Sequence, residues 1–148
     1  MRALLQRVTR AEVRADGRTT GSIGPGLLVL LGIGHEDDDA TAAALARRTS
    51  ELRIFEDEDG RTNRSILDVG GSALVVSQFT LYADTSRGRR PGFTRAAPPA
   101  VAASLVERYA SELEDIGIPV GRGRFGASME VELVNDGPFT IWLDTDPA

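Results

Sequence analysis

Ser77-Gln78-Phe79-Thr80 places two hydroxyls, an amide and an aromatic ring near the end of the apolar, β-branched run Ser72 to Tyr82. A threonine nucleophile needs an activating base, and none stands near Thr80 in the chain. His35 is the only histidine, so a Ser-His-Asp arrangement would have to use it. It follows an apolar run and precedes Glu36-Asp37-Asp38-Asp39, a setting typical of a loop residue. The chain has no cysteine. That removes disulfides and thiolate sites, and with one histidine it argues against catalytic zinc. The consecutive acids lack the alternate spacing and glycine of a calcium loop. Gly121-Arg122-Gly123 is too short for a phosphate- or dinucleotide-binding glycine pattern and follows no suitable strand. A hydrolase built on this chain is therefore expected to use neither a metal, a cofactor nor the usual triad.

A second segment, Asn135-Asp136-Gly137-Pro138-Phe139-Thr140, sets a Gly-Pro bond between two strand-like stretches. Backbone geometry, rather than side-chain chemistry, is its distinguishing property. Its plainest reading is a turn, since only about 5–6% of X-Pro bonds in folded proteins are cis. Gly24-Pro25 shows the same dipeptide elsewhere in the chain.

The elements that must position these segments are legible in outline. Asp16-Gly17 between Arg7–Ala15 and Arg18–Ile23 is a hairpin signal. Leu27 to Ile33 is an unbroken apolar run between glycines, which fits a strand buried on both faces. Acids at Glu36 to Asp39 cap and charge-match a helix from about Asp39 to Leu52. Arg53-Ile54-Phe55 reads as a short strand followed by a turn at Glu56 to Gly60. Pro98-Pro99 opens a second helix with Val101, Leu105, Tyr109, Leu113 and Ile116 on one face, ended by Gly117 and Pro119. Met129, Val131 and Leu133 alternate with Glu130 and Glu132 as a half-buried strand, and Asn135–Pro138 turns into a last strand, Thr140–Leu143.

At 148 residues the chain suits one domain that buries roughly 70% of its extended surface. No apolar run approaches the ~18 residues of a membrane span, and no basic-then-apolar leader opens the sequence; a soluble cytoplasmic protein is expected. The net charge of −5 runs against nucleic-acid binding, because phosphate neutralisation dominates such affinity. All 17 basic residues are arginine, however, and they are unevenly spread. Ser86 to Arg95 holds Arg87, Arg89, Arg90 and Arg95 with no acid, and Arg122 and Arg124 form a second pair. A local basic patch on an acidic protein suits transient contact with one end of an RNA. Solvated loop charges are the bland alternative.

The two segments together resemble the two signature motifs of the D-aminoacyl-tRNA deacylases. The likeness extends to Met1–Val13, Gly21–Gly34, Arg53–Phe55 and Gly121–Asn135, nearly the whole chain. The resemblance implies an enzyme that hydrolyses the ester of a D-amino acid on tRNA. It implies that Ser77, Gln78, Phe79 and Thr80 line the site of the aminoacylated adenosine. Thr80 is the best candidate for a direct role, Gln78 and Phe79 stand beside it, and backbone N–H groups hold the oxyanion. Catalysis in that family leans on the ribose 2′-hydroxyl, which fits the missing base. The Gly137-Pro138 bond is there cis and reaches across a homodimer into the partner's site, where its carbonyls collide with an L side chain but spare a D one. Glycine, lacking a side chain, would pass, so glycine mischarged on tRNA(Ala) would also be removed. Arg7 matches an arginine set against the Gly-Pro segment, although a strand-edge surface charge is the simpler reading. Phe125 and Met129 match a pocket for the terminal adenine, where alternation alone makes Met129 core. Two departures stand out: Arg90-Pro91-Gly92-Phe93 has glycine where relatives often carry serine, and Gly60–Asn63 lacks a lysine often found there.

The expected architecture is an α+β domain spanning residues 1–148, with a mainly antiparallel or mixed, barrel-like sheet and two main helices. The resemblance adds a homodimer with tRNA as partner. Three other readings stay open: a hydrolase of other small esters using Thr80 or Ser77, a non-catalytic RNA-binding module, and a structural interaction domain.

Overall fold

The computed structural model describes residues 1–146. Strand β1 (Arg2–Ala15) turns through Asp16 and Gly17 into β2 (Arg18–Ile23). Both turn residues have positive φ, 51° and 72°, which is what a two-residue type I′ connection needs and why Asp-Gly serves there. Strand β3 (Gly26–Gly32) returns alongside β1, and helix α1 (Asp39–Glu51) follows. Asp38 caps it by accepting from the Thr41 N–H at 2.8 Å, and those bonds hold its carboxyl below the ordinary carboxylate value. A small ribbon of β4 (Phe55–Glu56) and β5 (Thr62–Arg64) leads to β6 (Ser72–Ser77), which lies parallel to β3. Helix α2 (Pro99–Ile116), β7 (Val120–Arg122) and the 16-residue β8 (Met129–Asp144) complete the chain.

Strand β1 is the hub of the sheet. Along one side its first half pairs β3 and its second half pairs β2, while β8 runs antiparallel along its whole other side. The order β2-β1-β3-β6-β7 curls until its ends meet, and Thr20 Oγ1 of β2 donates to the Arg122 carbonyl of β7 at 3.1 Å. A Cβ on Gly21 would stand 2.8 Å from that same carbonyl, so the near-closure of the barrel depends on a residue without a side chain. The sheet is mixed and barrel-like, as the composition of strands predicts.

Two apolar cores divide the faces of the central strands. Leu27, Val29 and Leu31 of β3 and Ala73 and Val75 of β6 point to the helices, meeting Leu45, Tyr109 and Leu113. Leu28, Leu74 and Val76 point the other way, into the barrel with Val8, Ala11 and Val13. Burial on both faces explains why β3 and β6 read as continuous apolar runs rather than alternating ones.

The structure departs from the sequence reading at several places. The apolar run at Ser72–Tyr82 is not one strand: β6 ends at Ser77, and Phe79–Tyr82 form a single 3-10 turn. The short strand expected at Arg53–Phe55 is displaced to Phe55–Glu56. On α2 the buried positions are Ala102, Leu105, Tyr109, Ala110 and Leu113, whereas Val101 is 45% exposed. Most informative is β8. The residues read as a turn between two strands lie inside one strand, where Asn135 pairs with Val8 and Thr140 with Gln6. Asp136 to Phe139 thus stand opposite the single residue Arg7, and the backbone bulges outward there.

Candidate active site

The first motif is positioned by the end of β6. The Gln78 N–H donates to the Leu31 carbonyl at 2.8 Å, the last rung beside β3. The chain then tightens into the 3-10 turn, closed by Leu81 N–H to Gln78 O and Ala83 N–H to Thr80 O at 3.2 and 3.0 Å. The first N–H groups of a helical turn have no acceptor within it. Among the described residues neither the Phe79 nor the Thr80 N–H makes a hydrogen bond. The Gln78 side-chain amide donates to Thr80 Oγ1, so that hydroxyl is held by an amide. No carboxylate or imidazole contacts it among the described residues.

Beside this turn opens a cavity of about 640 Å³. Its floor comprises Ile33, Val76, Ser77 and Gln78, and one side is built from Ala96, Ala97, Pro98, Pro99 and Ala102 where the chain enters α2. Ala97 N–H donates to the Ile33 carbonyl at 2.9 Å, tying that side to β3. Phe125, Gly126, Ala127, Met129 and Val131 form the opposite side. A Cβ on Gly123 would stand 2.9 Å from the Met129 sulfur, so this glycine lets Met129 reach the cavity. Phe79 and Phe93 meet edge-to-face at the rim, ring centres 5.0 Å apart. Phe79 is 54% exposed and Phe125 38%, unusual for aromatic rings that merely fill a core.

Among the described residues no aspartate, glutamate or arginine lines this cavity. His35 does, and its Nε2–H donates to the Thr94 carbonyl at 2.6 Å. Among the described residues no three His, Asp or Glu side chains converge as metal ligands would. The chemistry on offer is therefore apolar and aromatic contact, an amide, hydroxyls and backbone donors.

The second motif is stitched together differently. Arg7, which the resemblance sets against the Gly-Pro segment and which otherwise reads as a strand-edge surface charge, is 6% exposed. Its Nη1 donates to the Ile54 carbonyl at 2.7 Å and its Nε to the Asp136 carbonyl at 3.1 Å. The guanidinium lies 4.7 Å above the Phe139 ring. Asn135 Oδ1 accepts from the Phe139 N–H at 2.8 Å, while its amide donates to Thr140 Oγ1 at 3.0 Å. A Cβ on Gly137 would stand 3.2 Å from Arg7 Nη2 and 3.0 Å from the Phe139 nitrogen, with φ at +135°. The bulge thus requires glycine, and its 137–138 bond is cis.

Of the candidate residues, Ser77, Gln78, Phe79, Phe125 and Met129 line one cavity. Thr80 lies beside it, on the 3-10 turn. Arg7, Gly137 and Pro138 are not in its wall. Within one chain the bulge sits opposite Arg7 and Leu27, whereas Ser77 sits opposite Leu31, four residues along and three strands away. Sequence reasoning passed over the alanine–proline side and Phe93. Their signal was faint, since small residues and prolines ahead of a helix read as capping rather than as wall.

An α+β barrel with an open, uncharged cavity at a strand end is a small-molecule or nucleotide site by its shape and lining. Comparison with known proteins sharpens that class. A family model described as D-Tyr-tRNA(Tyr) deacylase matches residues 4–144. The D-aminoacyl-tRNA deacylase of Roseiflexus castenholzii is 63% identical over 145 residues, 98% of this chain and 92% of that protein. A solved c-Myc DNA unwinding element binding protein superposes over 100% of both chains with a TM-score of 0.93 at 40% identity. A probable eukaryotic D-amino acid tRNA deacylase superposes at TM-score 0.79 over 96% of this chain and 97% of its own, and at 17% identity it shares the fold alone. The chain belongs to the D-Tyr-tRNA(Tyr) deacylase family of ester hydrolases.

Proposed function

We propose that this protein removes D-amino acids, and glycine mischarged on tRNA(Ala), from tRNA by ester hydrolysis. The observation that carries the mechanism is the state of Thr80. Its hydroxyl is bonded by the Gln78 amide and meets no base among the described residues, so it is a poor nucleophile. Water is instead the nucleophile, assisted by the ribose 2′-hydroxyl of the substrate. Water adds to the ester carbonyl carbon, and the oxygen that gains negative charge is held by the unpaired Phe79 and Thr80 N–H groups. Collapse breaks the bond to the ribose oxygen, which takes up a proton, leaving free amino acid and tRNA. The terminal adenosine stacks among Phe125, Met129 and the rim aromatics, with Ser77 and Gln78 beneath.

Chirality is read by backbone from a second copy. The Gly137-Pro138 bulge is exposed and remote from the cavity of its own chain, which favours its delivery into a partner's site. Arg7 holds it by the Asp136 carbonyl. Carbonyls set against the substrate α-carbon exclude an L side chain and leave D and glycyl esters free to react.

The test is deacylation of matched D-tyrosyl-, L-tyrosyl- and glycyl-tRNA by the purified protein and its Thr80→Ala variant. Loss of the D and glycyl esters, with the L ester spared and Thr80→Ala still active, is expected. Inactivity of Thr80→Ala toward every ester would return the chemistry to that hydroxyl. Equal loss of D and L esters would end the backbone-rejection reading.

A further inference from the structure

The arginines sort into two populations. Ten of them, including Arg95 with Asp146 and Arg122 with Glu107 and Glu114, make ion pairs among the described residues. Arg87, Arg89 and Arg90 make none, and all three are exposed on one loop tip. Three unneutralised guanidinium groups within four residues, on a chain of net charge −5, form a local field opposite in sign to the molecule as a whole. The tip from Ser86 to Pro91 contains no acid, and the carboxylate that borders it, Asp84, is bonded to Ser86 and ion-paired with none of the three arginines.

The loop is also held in place. Asp84 and Gly92 exchange both backbone hydrogen bonds, at 2.7 and 2.9 Å. The Asp84 carboxylate accepts from the Ser86 N–H at 2.9 Å and from its hydroxyl at 2.6 Å. Gly88 turns the tip with φ of +73°. The loop exits at Phe93, whose ring packs on Phe79 at the cavity rim. A chain spans at most ~3.6 Å per residue, so Arg90, three residues from Phe93, is within about 11 Å of that rim. Among the described residues no arginine or carboxylate lines the cavity itself. Whatever the cavity takes, neutralisation of an attached polyanion must come from outside it.

We propose that the Ser86–Pro91 loop is a preformed arm whose Arg87, Arg89 and Arg90 grip the phosphates of the tRNA acceptor end leading into the cavity. This rests on the deacylase reading, which supplies a 3′ nucleotide in the cavity and a phosphate for each nucleotide behind it. Guanidinium forks match phosphate oxygens in pairs. A closed loop loses little freedom on binding. Such contacts fix register without reading base sequence, which suits an enzyme acting on many tRNAs.

The experiment is binding of uncharged tRNA by fluorescence anisotropy from 50 to 200 mM salt, a measurement that needs no catalysis. Wild type is compared with an Arg87→Gln, Arg89→Gln, Arg90→Gln triple variant. A second triple, Arg18→Gln, Arg48→Gln, Arg61→Gln, removes the same charge from three other exposed, unpaired sites. Each phosphate contact contributes about 0.7–0.9 to the slope of log affinity against log salt. The loop triple is therefore expected to lose about 2–3 from the slope. Wild-type affinity then falls about 20–40-fold more than the variant's over that salt range. The second triple should stay within about one unit of wild type, and thermal melts of all three should agree. Equal slopes for wild type and the loop triple would overturn the proposal, as would equal losses in both triples, which would implicate net charge alone. Poly-glutamate competing as well as tRNA would place an acidic polypeptide on the loop instead. Wild type that binds with the expected slope yet leaves D-tyrosyl-tRNA intact would sink the deacylase reading and keep the grip.

Discussion

Replacing Arg7 by leucine separates a structural knot from a surface charge. The side chain is nearly fully buried, so its polar contacts have no water to fall back on. Removal forfeits a charge-assisted bond to the Ile54 carbonyl, about 1.5–3 kcal/mol, and strands that buried oxygen. Loss of the partly buried bond to the Asp136 carbonyl adds about 1 kcal/mol. The contact of the buried guanidinium with the partly buried Phe139 ring adds about 1 kcal/mol. The ion pair to the Asp136 carboxylate, 3.5 Å away and half exposed, counts for well under 1 kcal/mol. Leucine recovers part of this through apolar packing, and the net expectation is about 3–4 kcal/mol. For a domain of this size that lowers Tm by roughly 6–16 °C. Urea unfolding at fixed protein concentration measures it, with an Arg7→Lys variant alongside. Lysine keeps the charge but cannot reach both carbonyls with one ammonium, so it should fall between wild type and leucine. A leucine variant within about 1 kcal/mol of wild type would refute this account of how the bulge is held.

Three further outcomes follow from the packing and the charges. Gly26→Ala should prevent folding or cost more than about 3 kcal/mol, because the new methyl would land on the Ser72 carbonyl in β6 with φ of +157°; soluble expression with an unchanged melting curve would contradict it. Tyr109→Phe should cost about 1–2 kcal/mol, since its hydroxyl donates to Thr49 Oγ1 at 2.8 Å in the core, as urea unfolding would show. Several carboxyls, among them Glu112 beside Arg108 and Arg47 and Asp57 beside Asn63, titrate below their ordinary values of 4.5 and 3.8. Between the folded and unfolded pKa the unfolded chain binds more protons, so their contribution is full above the ordinary values and drains away as pH falls below them. The urea midpoint should therefore decline on acidification below about pH 4; a rise there would reverse the sign.

The parts of the fold carried by local chemistry were open to reading in the sequence. Asp16-Gly17 demands positive φ, Asp38 demands a helix behind it, and a doubly buried strand must be apolar throughout, as β3 is. What escaped depends on partners distant in the chain. Gly21 reveals nothing locally of its contact with Arg122 across the closing barrel. Arg7 alternates correctly for a strand, yet its burial is decided by Ile54 and Asp136, 47 and 129 residues away. The Asn135–Pro138 stretch has the residues of a turn, and only the unbroken partner β1 makes it a bulge. For the site, the first motif and the Phe125–Met129 side were visible through resemblance. The alanine–proline wall was not, because what qualifies it is that it leaves room.

The bulge in β8 has an arithmetic of its own. From Ala15 to Arg10, partners in β1 and β8 have numbers summing to 144, as in Ala11 with Leu133; Val8 with Asn135 sums to 143, and beyond the bulge the sum is 146, as in Leu5 with Ile141. The detour is also where the strand changes cores: Met129, Val131 and Leu133 pack with Val8, Ala11 and Val13 inside the barrel, whereas Phe139, Ile141 and Leu143 pack on the helix side with Ala3 and Leu5. One strand thereby serves both apolar cores, and the irregular stretch between Asn135 and Thr140 is what lets it pass from one to the other; a β8 without that detour could line only one of them.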